Sequence, residues 1–333
     1  MSIAARRWSA LGLGLAALLA TAILAVAVGT RWIAPAEVWD ALFAGGHGAN
    51  GEIVRNLRLP RLLLGLEVGV ALGLAGALMQ ALTRNPLADP GLLGVNAGAA
   101  TAVVLATALL GLSRLTEYVW FAFLGAAVVS LLVYALGSRG RSEATPARMA
   151  LVGTAVTAAL SSFVAAMILL QPQVFRQFRF WELGSLAGRG FTVVAQVAPF
   201  VFIGALLALA LGGRLNALAL GEDKGRALGA HPGRIRGAGA VAVTLLCGAA
   251  TAAAGPIAFV GLTVPHLARA ITGPDQRWVL TLSLVFAPAL LLIADVVGRV
   301  VDRPGEVQVA VVTAFLGAPI FIAIVRRRRI ARL

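Results

Sequence analysis

RLLLGLEVGVALGLAGALMQALTR, residues 61–84, decides the fold class. Between its terminal arginines, Arg61 and Arg84, it carries a single charge, Glu67. A bilayer core about 30 Å thick is crossed by about 20 apolar residues in an α-helix, so the stretch has the length of a membrane span. Gly65, Gly69, Gly73 and Gly76 recur in it at helical spacing. Water supplies no force between helices in lipid, and small residues let backbones approach there. The glycine stripe therefore predicts tight bundle packing, with a minority of its positions open to a path for a bulky solute.

Runs of the same kind recur along the chain. Segments 8 to 30, 60 to 82, 92 to 111, 117 to 137, 147 to 170, 192 to 212, 237 to 254, 256 to 272, 278 to 300 and 306 to 325 are each apolar and end at Gly, Pro or Arg. The seventh and eighth are separated by Gly255 and Pro256 alone. With 59% of 333 residues hydrophobic, 13% charged and a mean hydropathy of +0.90, the chain is too apolar for a soluble domain. The first run follows Arg6 and Arg7 as in a signal peptide, but it exceeds the usual h-region of about 7 to 15 residues and reads as a retained helix. The expectation is an all-α polytopic membrane protein of about ten spans, with residues 1–333 forming one transmembrane domain.

The net charge of +14 does not indicate nucleic acid, because the basic residues sit at the ends of apolar runs and not along one polar face. Ten spans put both termini on one side. Arg31, Arg55, Arg58, Arg61, Arg114, Arg176, Arg179, Arg189, Arg299 and Arg303 then fall on the other side, and the remaining 18 of the 28 basic residues fall with the termini. The positive-inside rule makes the richer side cytoplasmic. The group Arg55, Arg58 and Arg61, like the pair Arg299 and Arg303, is unusual for an outer face and asks for an acidic partner.

Several chemistries are missing. The one lysine, Lys224, precedes Gly225, so there is no phosphate loop and no site for ATP hydrolysis. His47, His231 and His266 lie on separate segments, and the single Cys247 reads as a small buried hydrophobe, so neither a metal centre nor a disulfide is expected. No GxSxG or HExxH occurs. The acids near the membrane are Glu67, Asp295 and, at a boundary, Glu306. Asp295 precedes Arg299 by four residues, the spacing of a helical ion pair, whereas Glu67 has no partner in sequence. So few acids argue against an ion-coupled secondary transporter and for an external energy source. The long polar stretch 211–237, LGGRLNALALGEDKGRALGAHPGRIRG, reads as a cytoplasmic loop with short helices, suited to docking a soluble protein.

Six stretches carry a resemblance: RLPRLLLG (58–65), MQALTRNPLADPGLLGVNAGA (79–99), FWELGSLAGR (180–189), GPIAFVGLTVPHLAR (255–269), LLIADVVGR (291–299) and RPGEVQVAVVTAFLGAPIFIAIVRRR (303–328). In wording and order they resemble the FecCD family of ABC-importer permeases for iron-siderophore, haem and cobalamin uptake. NALALGEDKGRALGAH (216–231) and VTLLCGAATAAAGPIAFVGL (243–262) are similar to members that carry ferric siderophores of the catecholate class. The resemblance implies a type II importer permease with ten spans in the bacterial inner membrane. It implies a second permease subunit, identical or homologous, two ATPase subunits that hold ATP and Mg, and a periplasmic substrate-binding protein; no cofactor belongs to this chain. Leu220, Gly221, Glu222, Ala227, Leu228 and Gly229 would fit a groove on the ATPase, and Arg58, Arg61 and Arg299 would meet acidic residues of the binding protein. The fifth helix would line the path, where Met149, Gly153, Thr157 and Ser161 stand at helical spacing, a spacing that equally suits packing against another helix. Glu67 departs from the family pattern, which has a small or aliphatic residue there.

Overall fold

The computed structural model describes residues 2–29, 31–45, 48–138, 146–227, 229 and 231–326. Every regular element among them is helical: α1 (Ile3–Ala27), α2 (Pro35–Phe43), α3 (Ala49–Glu52), α4 (Leu59–Thr83), α5 (Val95–Leu110), α6 (Leu115–Ser138), α7 (Pro146–Leu170), α8 (Pro172–Glu182), α9 (Phe191–Ala219), α10 (Glu222–Ala227), α11 (Pro232–Ala254), α12 (Val260–Thr272), α13 (Gln276–Val301) and α14 (Val309–Arg326). A π-helical turn, Ile53–Arg58, joins α3 to α4, and a 3-10 turn, Pro90–Leu93, precedes α5. α2, α7, α8 and α11 begin on proline, whose fixed φ and missing N–H suit the first helical position.

Each of the ten predicted segments corresponds to one helix: α1, α4, α5, α6, α7, α9, α11, α12, α13 and α14. Among the described residues, seven helical runs are long and apolar enough to cross a membrane, one of them the run Ala49–Thr83 that joins α3 to α4. α5, α12 and α14 are shorter. The turn placed at Gly255 and Pro256 is longer than expected, because the chain stays non-helical to Phe259. Gly255 holds φ +78, and a Cβ there would lie 2.1 Å from the Trp181 carbonyl oxygen; only glycine lets the chain pass so near.

α4, α11 and α13 form the centre, with 67 to 72% of their apolar windows covered by other helices. The glycine stripe of α4 makes this possible. A Cβ on Gly69 would sit 2.3 Å from the Pro288 Cα of α13, and one on Gly76 would sit 1.9 Å from the Gly261 carbonyl oxygen of α12. The stripe is thus filled by neighbouring backbone, as the packing argument expects. Leu64, Leu74 and Leu78 of α4 are buried around it, with Leu246 of α11 and Leu282 and Leu291 of α13.

The stretch 211–237 differs from its reading as a loop. α9 runs on to Ala219 and α11 starts at Pro232, which leaves Leu220–His231 as the connection. The reason is packing: Gly212 and Gly213 admit Arg277 of α13 against the helix, and Leu211, Leu215 and Leu218 are buried, so the polar letters there belong to a packed helix. Arg269 also departs from its reading as a surface charge. It is buried in α12 and donates from Nη1 to Gln80 Oε1 at 3.1 Å.

Candidate functional site

The three arginines expected to dock a partner converge at one end of the bundle. All three are engaged within the chain itself. α1 ends at Ala27, and its last carbonyls have no helical donors. Arg58 Nη1 donates to Val26 O at 2.6 Å and to Ala27 O at 2.7 Å, and its Nη2 donates to Arg31 O. Arg299 Nη1 donates to Ala25 O and Val28 O, both at 2.9 Å. Two guanidinium groups, from the start of α4 and the end of α13, thus cap the C-terminus of α1, where cations also complement the helix dipole. Gly29 leaves the necessary space, since a Cβ there would meet Arg58 Nη2 at 2.8 Å. Arg58 and Arg299 are 6% and 3% exposed, which corrects their reading as groups open to a partner.

Buried cations need anions, and Asp295 supplies one for two of them. Its Oδ2 lies 3.0 Å from Arg299 Nη2, the helical pair legible in sequence, and its Oδ1 lies 2.8 Å from Arg61 Nη2. Arg61 also reaches Glu306 Oε2 from Nη1 at 2.8 Å. Sequence reasoning missed this second half, because 234 positions separate Arg61 from Asp295 and no local spacing links them.

The same residues floor an open basin of about 550 Å³ lined by Arg31, Arg58, Arg61, Arg189, Arg299 and Glu306 among others. Five arginines there meet two carboxylates, Glu306 on the lining and Asp295 paired with Arg61 and Arg299, so the basin keeps a net positive charge. Arg31 and Arg189 were counted on the outer side in sequence but not singled out; loop residues without periodicity gave no signal. Burial pulls the Arg189 guanidinium below its ordinary value, and the neighbouring Tyr118 hydroxyl works against that.

The opposite end holds the connection expected to couple to an ATPase. Arg84 Nη2 donates to Leu218 O at 2.6 Å, and Asn216 Nδ2 donates to Asp275 Oδ1 at 2.8 Å while its Oδ1 accepts from Gln276 N at 2.7 Å. Arg7 donates to Thr272 O at 2.9 Å and lies 3.4 Å from Asp275. The last turn of α9 is therefore tied to α4 and α13, and through Asp275 to α1. Leu220 is exposed just beyond it, Gly221 and Gly229 take positive φ, and Asp223 and Ala227 face outward from α10. Leu228 and the Glu222 side chain lie outside the described residues.

α7 carries the candidate path residues, and the structure divides them. A Cβ on Gly153 would lie 1.8 Å from the Leu92 carbonyl oxygen, Met149 packs against Gly137, and Thr157 is half-buried. Gly153 and Met149 thus pack against other helices of the chain, the alternative their spacing left open. Ser161 is exposed. The uncovered surface of α7 carries Thr154, Ala155, Ala158, Ala159, Ser161, Ser162, Ala165 and Ala166, with Leu151, Phe163, Leu169 and Leu170 exposed beside them. Thr154 and Ser162 hydroxyls donate to the carbonyls four residues back at 2.8 and 2.9 Å, so the face is small and quiet in hydrogen bonding. Glu67 Oε2 is buried without a hydrogen-bond partner among the described residues.

Comparison with known proteins places this architecture. The chain is 49% identical to the ferric enterobactin transport system permease protein FepD of Escherichia coli (strain K12), over 95% of this chain and 94% of that one. It is 40% identical to the probable siderophore transport system permease protein YfiZ of Bacillus subtilis (strain 168), over 93% of each. A solved inward-facing structure, described as of a metal-chelate type ABC transporter, superposes with a TM-score of 0.82 at 25% identity, covering 95% of this chain and 98% of that one. Residues 17–327 match the FecCD transport family, and with these relatives along almost its full length the chain belongs to that family.

Proposed function

We propose that this chain is the membrane-spanning permease subunit of an ATP-driven, binding-protein-dependent importer that moves a ferric siderophore of the catecholate class across the bacterial inner membrane. The observation that carries the reading is the 49% identity to the ferric enterobactin permease along nearly the whole of both chains. The chain makes and breaks no bond in the cargo. Both termini lie in the cytoplasm, on the side of the Leu220–His231 connection. There Leu220, Gly221, Glu222, Ala227, Leu228 and Gly229 seat in a groove of one of two ATPase subunits, which hold the ATP and Mg. ATP binding draws the ATPases together, and the braced end of α9 passes that displacement to the spanning helices.

On the outer side the positive basin receives the acidic lobes of a periplasmic binding protein. Arg31 and Arg189 present the charge, while Arg58 and Arg299 hold the surface by fixing α1 and Arg61 holds it by pairing with Asp295 and Glu306. The small-residue face of α7, including Ser161, borders the path and a second permease subunit. A flat face of Ala, Ser and Thr suits both roles, since small side chains allow close helix approach and leave room for a bulky chelate.

Proteoliposomes test this reading. The complete complex, with binding protein on one side and ATP on the other, is expected to accumulate radio-iron given as a ferric catecholate chelate. The chain alone, under an ion gradient, is expected to accumulate none; accumulation by the chain alone would overturn the proposal.

A further inference from the structure

α8 follows α7 after the single residue Gln171 and turns a different kind of surface outward. Val174, Phe178 and Trp181 face the core, while Phe175, Arg176, Arg179 and Phe180 are exposed. The Arg179 guanidinium stands over the Phe180 ring at 4.5 Å and the Phe175 ring at 5.9 Å. Beside α8 lies an open depression of about 450 Å³ lined by Ser113, Tyr118, Gln173, Arg176, Gln177 and Phe180. The lining contains one guanidinium, two amides, two hydroxyls, two aromatic rings and no carboxylate. Among the described residues, no ion pair or hydrogen bond engages the Arg176 side chain.

These groups select a ligand by chemistry. An aromatic wall accepts a flat ring, and a guanidinium with neighbouring amide and hydroxyl donors accepts oxygen atoms bearing negative charge on the ring edge. An aliphatic neutral ligand would leave the cation unmatched, and a bare inorganic anion would leave Phe180 unused. A lipid headgroup matches the cation, but it makes no use of the two glutamines and the ring together. The depression lies at the end of the molecule where α7 finishes, so a solute approaching the small-residue face of α7 from the arginine-rich side passes it.

We propose that this depression is a specificity subsite that takes one arm of an anionic iron chelate, an aromatic ring carrying adjacent oxyanions, with the ring against Phe180 and the charge against Arg176. The proposal rests on reading the chain as a permease for a catecholate chelate, and it adds the residues that favour that class.

The test uses the complete transporter in proteoliposomes with two radio-iron probes, a ferric catecholate chelate and an aliphatic ferric trihydroxamate chelate. Phe180→Leu and Arg176→Gln are each expected to raise the half-saturating concentration of the catecholate by about tenfold, the worth of one desolvated ring or cation contact. Phe180→Tyr, which keeps the ring, is expected to stay near the parent. Whatever trihydroxamate uptake exists is expected to be unchanged. The subsite is overturned if Phe180→Leu matches the parent, if both chelates weaken alike, or if removing anionic lipid from the vesicles reproduces the loss in the parent protein. Should the parent accumulate neither chelate, the transport reading fails. The subsite is then decided alone by equilibrium binding of the ferric catecholate to the purified complexes, where the same tenfold difference supports it and equal affinities refute it.

Discussion

α1 and α7 are both left largely uncovered by the rest of the chain, with 28% and 11% of their apolar windows buried, yet their open faces are unlike. α1 turns Leu13, Leu15, Leu19 and Ile23 outward. α7 turns out Thr154, Ala155, Ala158, Ala159, Ser161 and Ser162 in its middle, and Leu151, Phe163, Leu169 and Leu170 beside them. Branched aliphatic side chains fill acyl-chain surroundings well, whereas a flat face of methyls and hydroxyls does so poorly and suits another helix or a solute. Side-chain size supports the proposed reading, in which α1 faces lipid and the small-residue middle of α7 faces protein or path.

The comparison can be broken first at the ends of the helices. α1, covered over little of its length, is held at its C-terminal end by Arg58 and Arg299. Arg299→Ala leaves Asp295 short of one of its two partners and two α1 carbonyls bare, and losing one member of a buried pair costs about 3 to 5 kcal/mol. A marked fall in the unfolding midpoint in detergent is expected; an unchanged midpoint would show that the cap is dispensable. Next in size is Ala158→Trp on α7. Overpacking of about 1 to 3 kcal/mol is expected to reduce association with the second permease subunit, read by native mass or gel filtration, while Leu15→Trp on α1 leaves the assembly intact. Equal behaviour of the two would erase the distinction.

The docking surface sharpens the same contrast. Arg31→Glu with Arg189→Glu is expected to weaken capture of the binding protein by about tenfold at low salt, with the difference shrinking as salt rises. Titration of binding protein onto the purified complex checks this. The smallest effect belongs to Leu15→Ala, where a lipid-facing side chain lacks partners to lose and stability is expected within about 0.5 kcal/mol of the parent.

The spans were legible because each is a continuous apolar run closed by Gly, Pro or Arg, a signal carried by local sequence. The glycine stripe of α4 was legible for the same reason, and so was the pair Asp295 and Arg299, four residues apart on one helix. What sequence could not supply was direction across space. Arg58 and Arg299 were visible as charges, but their acceptors are α1 carbonyls, which no side chain announces. The stripe from Met149 through Gly153 to Thr157 left path and packing open, because periodicity names a face without naming its neighbour. The extension of α9 through Asn216 was hidden by polar letters whose hydrogen bonds to Asp275 and Gln276 lie 59 and 60 positions away.

The central claim is that the open face of α7 borders water or protein during transport while that of α1 borders lipid. Ser161→Cys and Leu19→Cys, made in the complete transporter where the native Cys247 is buried, test it with a membrane-impermeant maleimide applied during ATP-driven turnover. The account predicts labelling at position 161, slowed by saturating ferric chelate, and none at position 19. Labelling at position 19 with none at 161 would contradict it.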